Sequence, residues 1–563
     1  MKNRFFLLTT VLILFSLPHY SADIVTYGMV NGTQRLVRNG KPILMLAGEL
    51  HNSQSATLAP LESSVRTAKQ MGMNSVIATV SWENLEPREG EFDYTEIDNI
   101  LSMAEKYDML LGICWFGSWK NGKSSYTPLW VKGDVKRFPR VRDAKGRNLN
   151  TISPFSNEAC KSDANAFAKL MAHIKSRDTE GRVCVVQVNN EVGCFTDIDH
   201  GKTSLELFES AVPAQLTQYL KAHHKTLSPT LKKCWEENGS KTSGTWKQLF
   251  GDNFYAKEFF MAWYFAQYQE KIATSGKAVW PLPMYVNCWM AGDDDDPALG
   301  RFPNGGPRPL VYDIYKAAAS HIDWLSDDIY ENNFHKVATQ FHRPENPIFI
   351  PEFQRKAGPA WYWFGEHNAM CFSPFGFEEV YDDDLFRGEY QLLNEILPTI
   401  SQNQGTGRMR GFVRQEGVDA PDGTLDLHLG DYVFTVHYLK GERNAHGIII
   451  QTGPTEFLVA GVGAYITFQA KKKNTICMIA RTEELVFKEH KMETLYILNG
   501  DETADNEKLY LRGRSLDWGQ NARPGEQPPI WEPSVQRMYW DVIENTRKVS
   551  GLYRISLYTI PVE

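Results

Sequence analysis

Two glutamates sit where apolar runs end. The run Val183-Cys184-Val185-Val186-Gln187-Val188-Asn189 leads into Asn190 and Glu191, and Ile348-Phe349-Ile350-Pro351 leads into Glu352. Short, almost uninterrupted apolar runs read as buried parallel strands, so each delivers a carboxylate to the edge of a sheet. Two carboxylates at strand ends are the minimum equipment for cleaving a glycosidic bond. One is a proton donor and the other a nucleophile, and the retaining version of that chemistry needs them about 5–5.5 Å apart.

The elements that must position this pair follow from the alternation of strand-like and helix-like stretches between Lys41 and about Phe377. The strand-like runs are Ile43–Gly48, Ser75–Trp82, Leu110–Phe116, Val183–Asn190, Met284–Trp289, Ile322–Tyr330, Ile348–Glu352 and Met370–Phe375. Helical patterns such as Leu58–Met71, Ile97–Lys106 and Ala159–Ser176 lie between most of them. Eight strands with intervening helices predict an α/β fold, a (β/α)8 TIM barrel. Roughly ninety residues separate Glu191 from the run at Met284, far beyond a standard barrel unit. This insertion is expected to wall the substrate cleft, since it follows the strand that carries Glu191.

After the helix expected at Leu385–Ile400, short strands with turn residues predict a C-terminal all-β, sandwich-like domain. The expected division is 1–22 as a signal peptide, 23–402 as the catalytic barrel and 403–563 as the β domain. Lys2 and Arg4 followed by the apolar stretch Phe5–Leu17 carry the first of these expectations. The stretch is too short to span a bilayer, so an exported protein, periplasmic or extracellular and without a membrane anchor in its mature form, is expected.

Composition bounds the function. The 563 residues carry a formal charge of −8, which argues against nucleic acid as partner, because phosphate binding needs a basic surface. Aromatics make up 12% of the chain, including 15 Trp, which suits stacking on sugar rings and equally suits a large core. The eight cysteines show no zinc spacing and are expected to be mostly free. The acidic run Asp293–Asp296 lacks the spaced ligands of a calcium loop. No metal or organic cofactor is expected.

The segment Val80-Ser81-Trp82-Glu83-Asn84-Leu85-Glu86-Pro87-Arg88-Glu89-Gly90-Glu91-Phe92-Asp93 resembles the W-x-x-x-E-P-x-x-G-x-[FY]-[DN] signature of the clan of retaining (β/α)8 glycosidases. Within that clan, residues 41 to 400 most resemble glycoside hydrolase family 35, the β-galactosidases. The likeness rests on Gly48–Ser53, Pro128-Leu129-Trp130, Gln187–Gly193, Pro351-Glu352-Phe353 and Ser373–Phe377. The chain departs from the family pattern at Asn189, in place of an acidic residue, and at Val192, in place of Tyr. It also departs at Trp115-Phe116, in place of Ala-Glu, whose carboxylate helps hold galactose.

The resemblance implies Glu191 as acid/base, Glu352 as nucleophile, Asn190 as partner of the sugar 2-hydroxyl and Tyr330 as donor to the nucleophile. Trp82, Trp119, Asn121, His51 and Trp361 are further candidates for the walls of the sugar site. The expected function is a retaining, exo-acting β-galactosidase on a carbohydrate substrate. The alternatives are a clan relative of different sugar specificity (β-glucosidase, β-mannosidase or α-L-arabinopyranosidase) and a non-catalytic carbohydrate-binding protein. The sequence leaves the oligomeric state open.

Overall fold

Eight parallel strands close on themselves. The computed structural model describes residues 24–289, 302–420, 423–439, 442–511 and 550–562, so the expected signal peptide and the Asp293–Asp296 run lie outside the described residues. The barrel strands are β1 (Met45–Glu49), β2 (Ser75–Ser81), β3 (Leu110–Lys120), β4 (Val183–Asn190), β5 (Met284–Trp289), β6 (Trp324–Asp328), β7 (Phe349–Phe353) and β8 (Cys371–Pro374). Each pairs in parallel with the next, and β8 returns to β1. A parallel bridge between Ile329 and Phe353 closes the seam between β6 and β7, where the Ile329 amide donates to the Glu352 carbonyl at 3.0 Å. Nearly every strand residue is buried, because helices cover the outside while side chains fill the inside.

The covering helices include α1 (Leu58–Gln70), α2 (Thr95–Tyr107), α3 (Asn157–Arg177), α4 (Phe254–Val279), α5 (Tyr312–Ala318), α6 (Phe334–Phe341), α7 (Pro359–Glu366) and α8 (Asp384–Asn403). Their starts carry local signals. Ser156 caps α3 by accepting the Ala159 amide, and the Asp383 carboxylate caps α8 by accepting the Leu385 and Phe386 amides. Among the described residues, no helix is long and apolar enough to cross a membrane. All eight cysteines are buried and free, with Cys114, Cys184, Cys288 and Cys371 inside barrel strands.

The insertion after β4 does not wall the cleft as expected. Its short helices, from Lys202–Phe208 to Trp246–Phe250, pack against the outer faces of α4 and α5. Ser228 donates both its amide and its hydroxyl to Asp313 at 2.7 Å, Gln215 donates to the Ala317 carbonyl, and Phe208 and Trp246 stack edge-on against Phe260. These helices have apolar faces that only the barrel's outer helices can bury.

A three-stranded antiparallel sheet (Thr26–Val30, Thr33–Arg38, Lys41–Ile43), not foreseen in the sequence pattern, precedes β1. Tyr27 packs on Trp324 at the start of β6, and the buried Arg35 donates to the Ser401 carbonyl and hydroxyl. This sheet therefore plugs the end of the barrel opposite the two glutamates.

The C-terminal part is a sandwich of a six-stranded and a four-stranded antiparallel sheet. Phe434, Ile466 and Leu509 of the smaller sheet meet Ile449, Phe457 and Tyr553 of the larger one in a shared core. The other face of the larger sheet, with Ile448, Ile450, Leu458 and Ala460, joins the barrel core. That double burial explains why His446–Gln451 reads His-Gly-Ile-Ile-Ile-Gln, without the alternation of a half-exposed strand. The contact is close. A Cβ on Gly411 would stand 2.8 Å from the Trp361 carbonyl oxygen and 3.0 Å from Tyr362 Cα, both backbone atoms of α7. Gly411→Ala is expected to lower stability by about 1–3 kcal/mol, read by thermal or denaturant unfolding, because neither backbone can yield without moving the sandwich.

Candidate active site

Glu191 follows β4 and Glu352 lies near the end of β7, three strands away, and the two meet over the C-terminal face of the barrel. One oxygen each from Glu191, Glu352 and Asp328, which ends β6, lie within 4.8 Å of one another. Three carboxylate oxygens so placed are a donor set that a hard divalent cation can take. The positive charge present in the chain itself is the Lys120 ammonium at the end of β3.

The backbone around Glu191 is bent to aim it. Asn189 and Glu191 both adopt left-handed conformations, with φ of 61° and 47°. Such a φ is unusual for a glutamate and is held only where neighbours over-determine it. Here the Asn287 side chain accepts the Glu191 amide at 3.0 Å, and the Gly122 amide donates to the Glu191 carbonyl at 2.9 Å. Asn tolerates this conformation better than most residues. Its Oδ1 also accepts the Trp119 amide at 3.1 Å, which gives the replacement of the family's acidic residue at 189 a structural role. Gly193, at φ 134°, faces Pro303 and Asn304, and a Cβ there would come within 2.6 Å of Pro303.

The Asn190 amide group is oriented by its neighbours. Its Oδ1 accepts from Gln187 at 2.8 Å and from Asn287 at 3.0 Å, which leaves Nδ2 to donate to Glu191 at 3.2 Å. Asn287 also donates to Asp328 at 2.7 Å. Tyr330 donates its hydroxyl to Glu352 Oε2 at 2.9 Å, while Oε1 of Glu352 has no partner. Among the described residues Glu352 is thus held by one oxygen only.

Burial and the neighbouring Glu352 carboxylate push Glu191 up to about 7. Burial, Glu352 and Glu191 drive Asp328 well above the usual carboxylate range, and a hydrogen bond links it to Glu191. Like charges this close cannot both ionise, so the Glu191–Asp328 pair retains a proton near neutral pH. Glu49, at the end of β1 and only 2% exposed, is also raised well above its ordinary value, by burial and by Glu352. Burial alone would strip Lys120 of its proton. Glu352, Glu191 and Glu49 together outweigh that and hold it charged.

The structure brings together Glu191, Glu352, Asn190 and Tyr330, with the Asn121 backbone beside them, and buries Trp82, Trp119 and Trp361 in the core. Trp82 is fully buried, its indole N–H donated to Glu86 at 2.8 Å and its ring set edge-on against Trp130. Trp119 is fully buried between Phe265 and Tyr268 and donates to the Ile152 carbonyl. Trp361 is buried on α7 at the sandwich junction and donates to Glu389. All three are core residues with no ring face free for a sugar, which corrects their reading as walls. His51 pairs with Glu379 at 2.9 Å and packs on Phe375, away from the two catalytic carboxylates. Asn121 acts through its backbone: with Gly122 it forms a tight turn of left-handed residues, and its amide donates to the Asn190 carbonyl at 3.2 Å.

Lys120, Glu49, Asp328 and Asn287 were not singled out by sequence reasoning. Each ends or nears the end of a barrel strand, which is the one signal that flags them. Lys120 escaped because β3 runs past Phe116. Its register against β4 pairs Trp115 with Val188 and then Lys120 with Asn190, so three residues bulge between. Asp163 of α3 stabilises the bulge by accepting Trp115 Nε1 and the Ser118 amide, each at 2.8 Å. A Cβ on Gly117 would fall 2.4 Å from Trp115 Nε1 and 2.6 Å from Asp163. A half-buried aromatic pair, Phe195 and Trp289, stands at the ends of β4 and β5 with ring centroids 6.0 Å apart. A separate cavity of about 270 Å³ opens between barrel and sandwich beside Arg355, Phe386, Arg414 and His446. It holds neither Glu191 nor Glu352.

With this geometry in place, comparison with known proteins adds a family likeness. Residues 52–251 match the β-galactosidase model of glycoside hydrolase family 42. This part of the barrel is similar to β-galactosidases. A β-galactosidase of Xanthomonas manihotis is 30% identical over 184 residues, covering 31% of this chain and 27% of that protein. The β-galactosidase BbgII of Bifidobacterium bifidum is 23% identical over 156 residues, covering 26% and 21%. The chain thus spans about a quarter of the length of these curated relatives. Among solved structures, a β-galactosidase from Bacillus circulans sp. alkalophilus aligns at a TM-score of 0.43 and 17% identity, covering 63% of this chain and 57% of that one. Residues 386–509 match a domain of unknown function, DUF5597. This match supports a β-galactosidase likeness and does not establish the family 35 that the sequence motifs resemble.

Gly117→Ala is expected to lower stability by about 1–3 kcal/mol and to cut turnover, because the bulge that sets Lys120 against Asn190 cannot admit a Cβ. Unfolding curves and steady-state rates on one preparation read both effects.

Proposed function

We propose that the protein is a retaining, exo-acting β-galactosidase. The observation that carries the reading is the Glu191–Glu352 pair, whose oxygens approach within 4.8 Å, with the Tyr330 hydroxyl on Glu352 and Glu191 raised to about 7. The β-galactosidase likeness of residues 52–251 supports a glycoside hydrolase and suggests the sugar. The charged start and apolar stretch of residues 2–17 support export to the periplasm or beyond.

In the first step Glu191 donates its proton to the leaving oxygen as Glu352 Oε1 attacks the anomeric carbon. The Tyr330 hydroxyl holds Oε2 so that the free lone pair faces the sugar. Once Glu352 is esterified its charge is gone, and the main charged neighbour raising Glu191 goes with it. Glu191 then loses its proton more readily and activates water as base. Asn190, turned by Gln187 and Asn287, presents its NH2 group to the site, where a sugar 2-hydroxyl would be gripped. Phe195 and Trp289 offer an aromatic rim beside the acid/base for the leaving group.

Glu352→Gln is expected to abolish hydrolysis of an aryl β-galactoside. A 2-fluoro galactosyl probe should label the peptide carrying Glu352 in the native protein. An unlabelled protein, or an inverted product anomer by NMR, would sink the double-displacement reading. Glu191→Ala should cost roughly 10²–10⁴-fold on substrates with poor leaving groups and far less on dinitrophenyl glycosides, with azide restoring turnover.

The pH profile has a fixed sign. Glu191 must be protonated to act as acid, and its value is raised to about 7, so the proton is present below that pH and lost above it. Turnover of poor-leaving-group substrates should therefore fall on a basic limb near pH 7, about tenfold per further pH unit. The limb should vanish for Glu191→Ala on an activated substrate.

A further inference from the structure

Two side chains in the carboxylate basin have no part in the double displacement. Glu49 and Lys120 end β1 and β3, on either side of β2, and both face Glu191 and Glu352. Among the described residues the Lys120 ammonium makes no ion pair and no hydrogen bond. Its recorded contact is the Phe116 ring, 5.1 Å from the nitrogen. Glu49 is in a similar state, buried with its Oε2 unpartnered. Burying a charged donor and a carboxyl oxygen without partners is costly, and natural sites sustain it where a ligand completes the bonds.

The placement of Lys120 is not incidental. The β3 bulge and the Asn121-Gly122 turn set it opposite Asn190, and the turn amides bond the carbonyls of Asn190 and Glu191. Glu49 is fixed from the other side, where its carbonyl accepts the Gly376 amide at 2.9 Å. A buried donor and a buried acceptor are thereby held on two rigid strands around the same basin.

We propose that Lys120 and Glu49 clamp two hydroxyls of the terminal sugar, Lys120 as donor and Glu49 as acceptor, and so decide which sugar the site accepts. The inference rests on the glycosidase reading above. A neutral polyol fits this basin better than an acidic sugar. Glu49, Glu191, Asp328 and Glu352 already crowd one ammonium, and a sugar carboxylate would add a further negative charge. A hydroxyl can accept from Lys120 and donate to Glu49 without changing the charge of the site. On β3 the Trp115 ring is buried against Phe167, so the side chain before the bulge offers the basin no polar group and Lys120, after it, does.

The test pairs variants with altered substrates. Lys120→Met, Lys120→Arg and Glu49→Gln are assayed on 4-nitrophenyl β-galactoside and on its 3-, 4- and 6-deoxy analogues. On the parent substrate Lys120→Met should lose about 10- to 100-fold in kcat/KM. On the one analogue that lacks its partner hydroxyl the loss should shrink to roughly threefold or less, as in a double-mutant cycle. Glu49→Gln should show the same selectivity for a different hydroxyl. Equal losses on every analogue would overturn the clamp, since Lys120 would then act only through its field on the two catalytic carboxylates.

Circular dichroism and melting curves establish that the variants fold, and Lys120→Arg, which keeps the charge, should recover part of the loss. Equilibrium binding of galactose and its deoxy forms by calorimetry reads the same pattern without turnover. Deoxy-specific losses in binding without hydrolysis would keep the clamp and remove the enzyme. Hydrolysis with no deoxy-specific loss would keep the enzyme and remove the clamp. Neither binding nor hydrolysis would remove both.

Discussion

Carboxylates a few ångströms apart in a buried site cannot all be ionised, and the catalytic face is arranged around that constraint. Glu191, Asp328 and Glu352 bring oxygens within 4.8 Å of one another, and Glu49 faces the same basin. Retained protons and the Lys120 ammonium are what make such a cluster tolerable. The division of roles follows from how each group is held. Glu191 is raised to about 7 by burial and by Glu352, against a hydrogen bond with Asp328 that lowers it and raises Asp328. Glu352 receives the Tyr330 hydroxyl on one oxygen and keeps the other unpartnered. Two glutamates of identical chemistry thus stand in different surroundings, the setting in which two carboxyl groups can take different roles.

Holding that cluster requires backbone shapes that regular strands do not provide. β4 ends in left-handed residues at Asn189 and Glu191, β3 bulges before Lys120, and an Asn-Gly turn links the two by bonding the carbonyls of Asn190 and Glu191. Each irregularity is fixed by a specific neighbour: Asn287 under Glu191, and Asp163 under the bulge, with Gly117 leaving room. The irregular backbone concentrates at the C-terminal ends of the strands, where barrel active sites sit. The rest of the fold is regular and supplies rigidity. The N-terminal sheet plugs the opposite end of the barrel, and the six-stranded sheet of the sandwich is buried on both faces, so it is packed into the barrel core rather than tethered to it.

The eight barrel strands were legible in the sequence because parallel strands covered by helices are apolar along their whole length, and the helices between them carry a helical period. The glutamate pair was legible for the same reason, each following such a run. Asn190 and Tyr330 were found through motif likeness, and the structure places both against a catalytic carboxylate. The tryptophans were misjudged because a Trp at a strand end suits a sugar and a core equally. Only the neighbours decide, and Glu86, the Ile152 carbonyl and Glu389 had already taken the indole N–H groups of Trp82, Trp119 and Trp361. The insertion after β4 was legible as helices but not as to where they dock, since an apolar helix face fits any complementary surface.

By itself the sequence determined the chemistry on offer: a barrel of parallel strands, two strand-end glutamates, and an all-β C-terminal part. These depend on local periodicity and on what lies at the end of each run. Only the tertiary structure decided the electrostatics. That Glu191 is raised to about 7, that Asp328 and Glu49 crowd it, and that Lys120 stands among them depends on residues 49, 120, 191, 328 and 352 converging from five strands. Coulomb interactions and desolvation depend on distance in space, and no spacing along the chain encodes that distance.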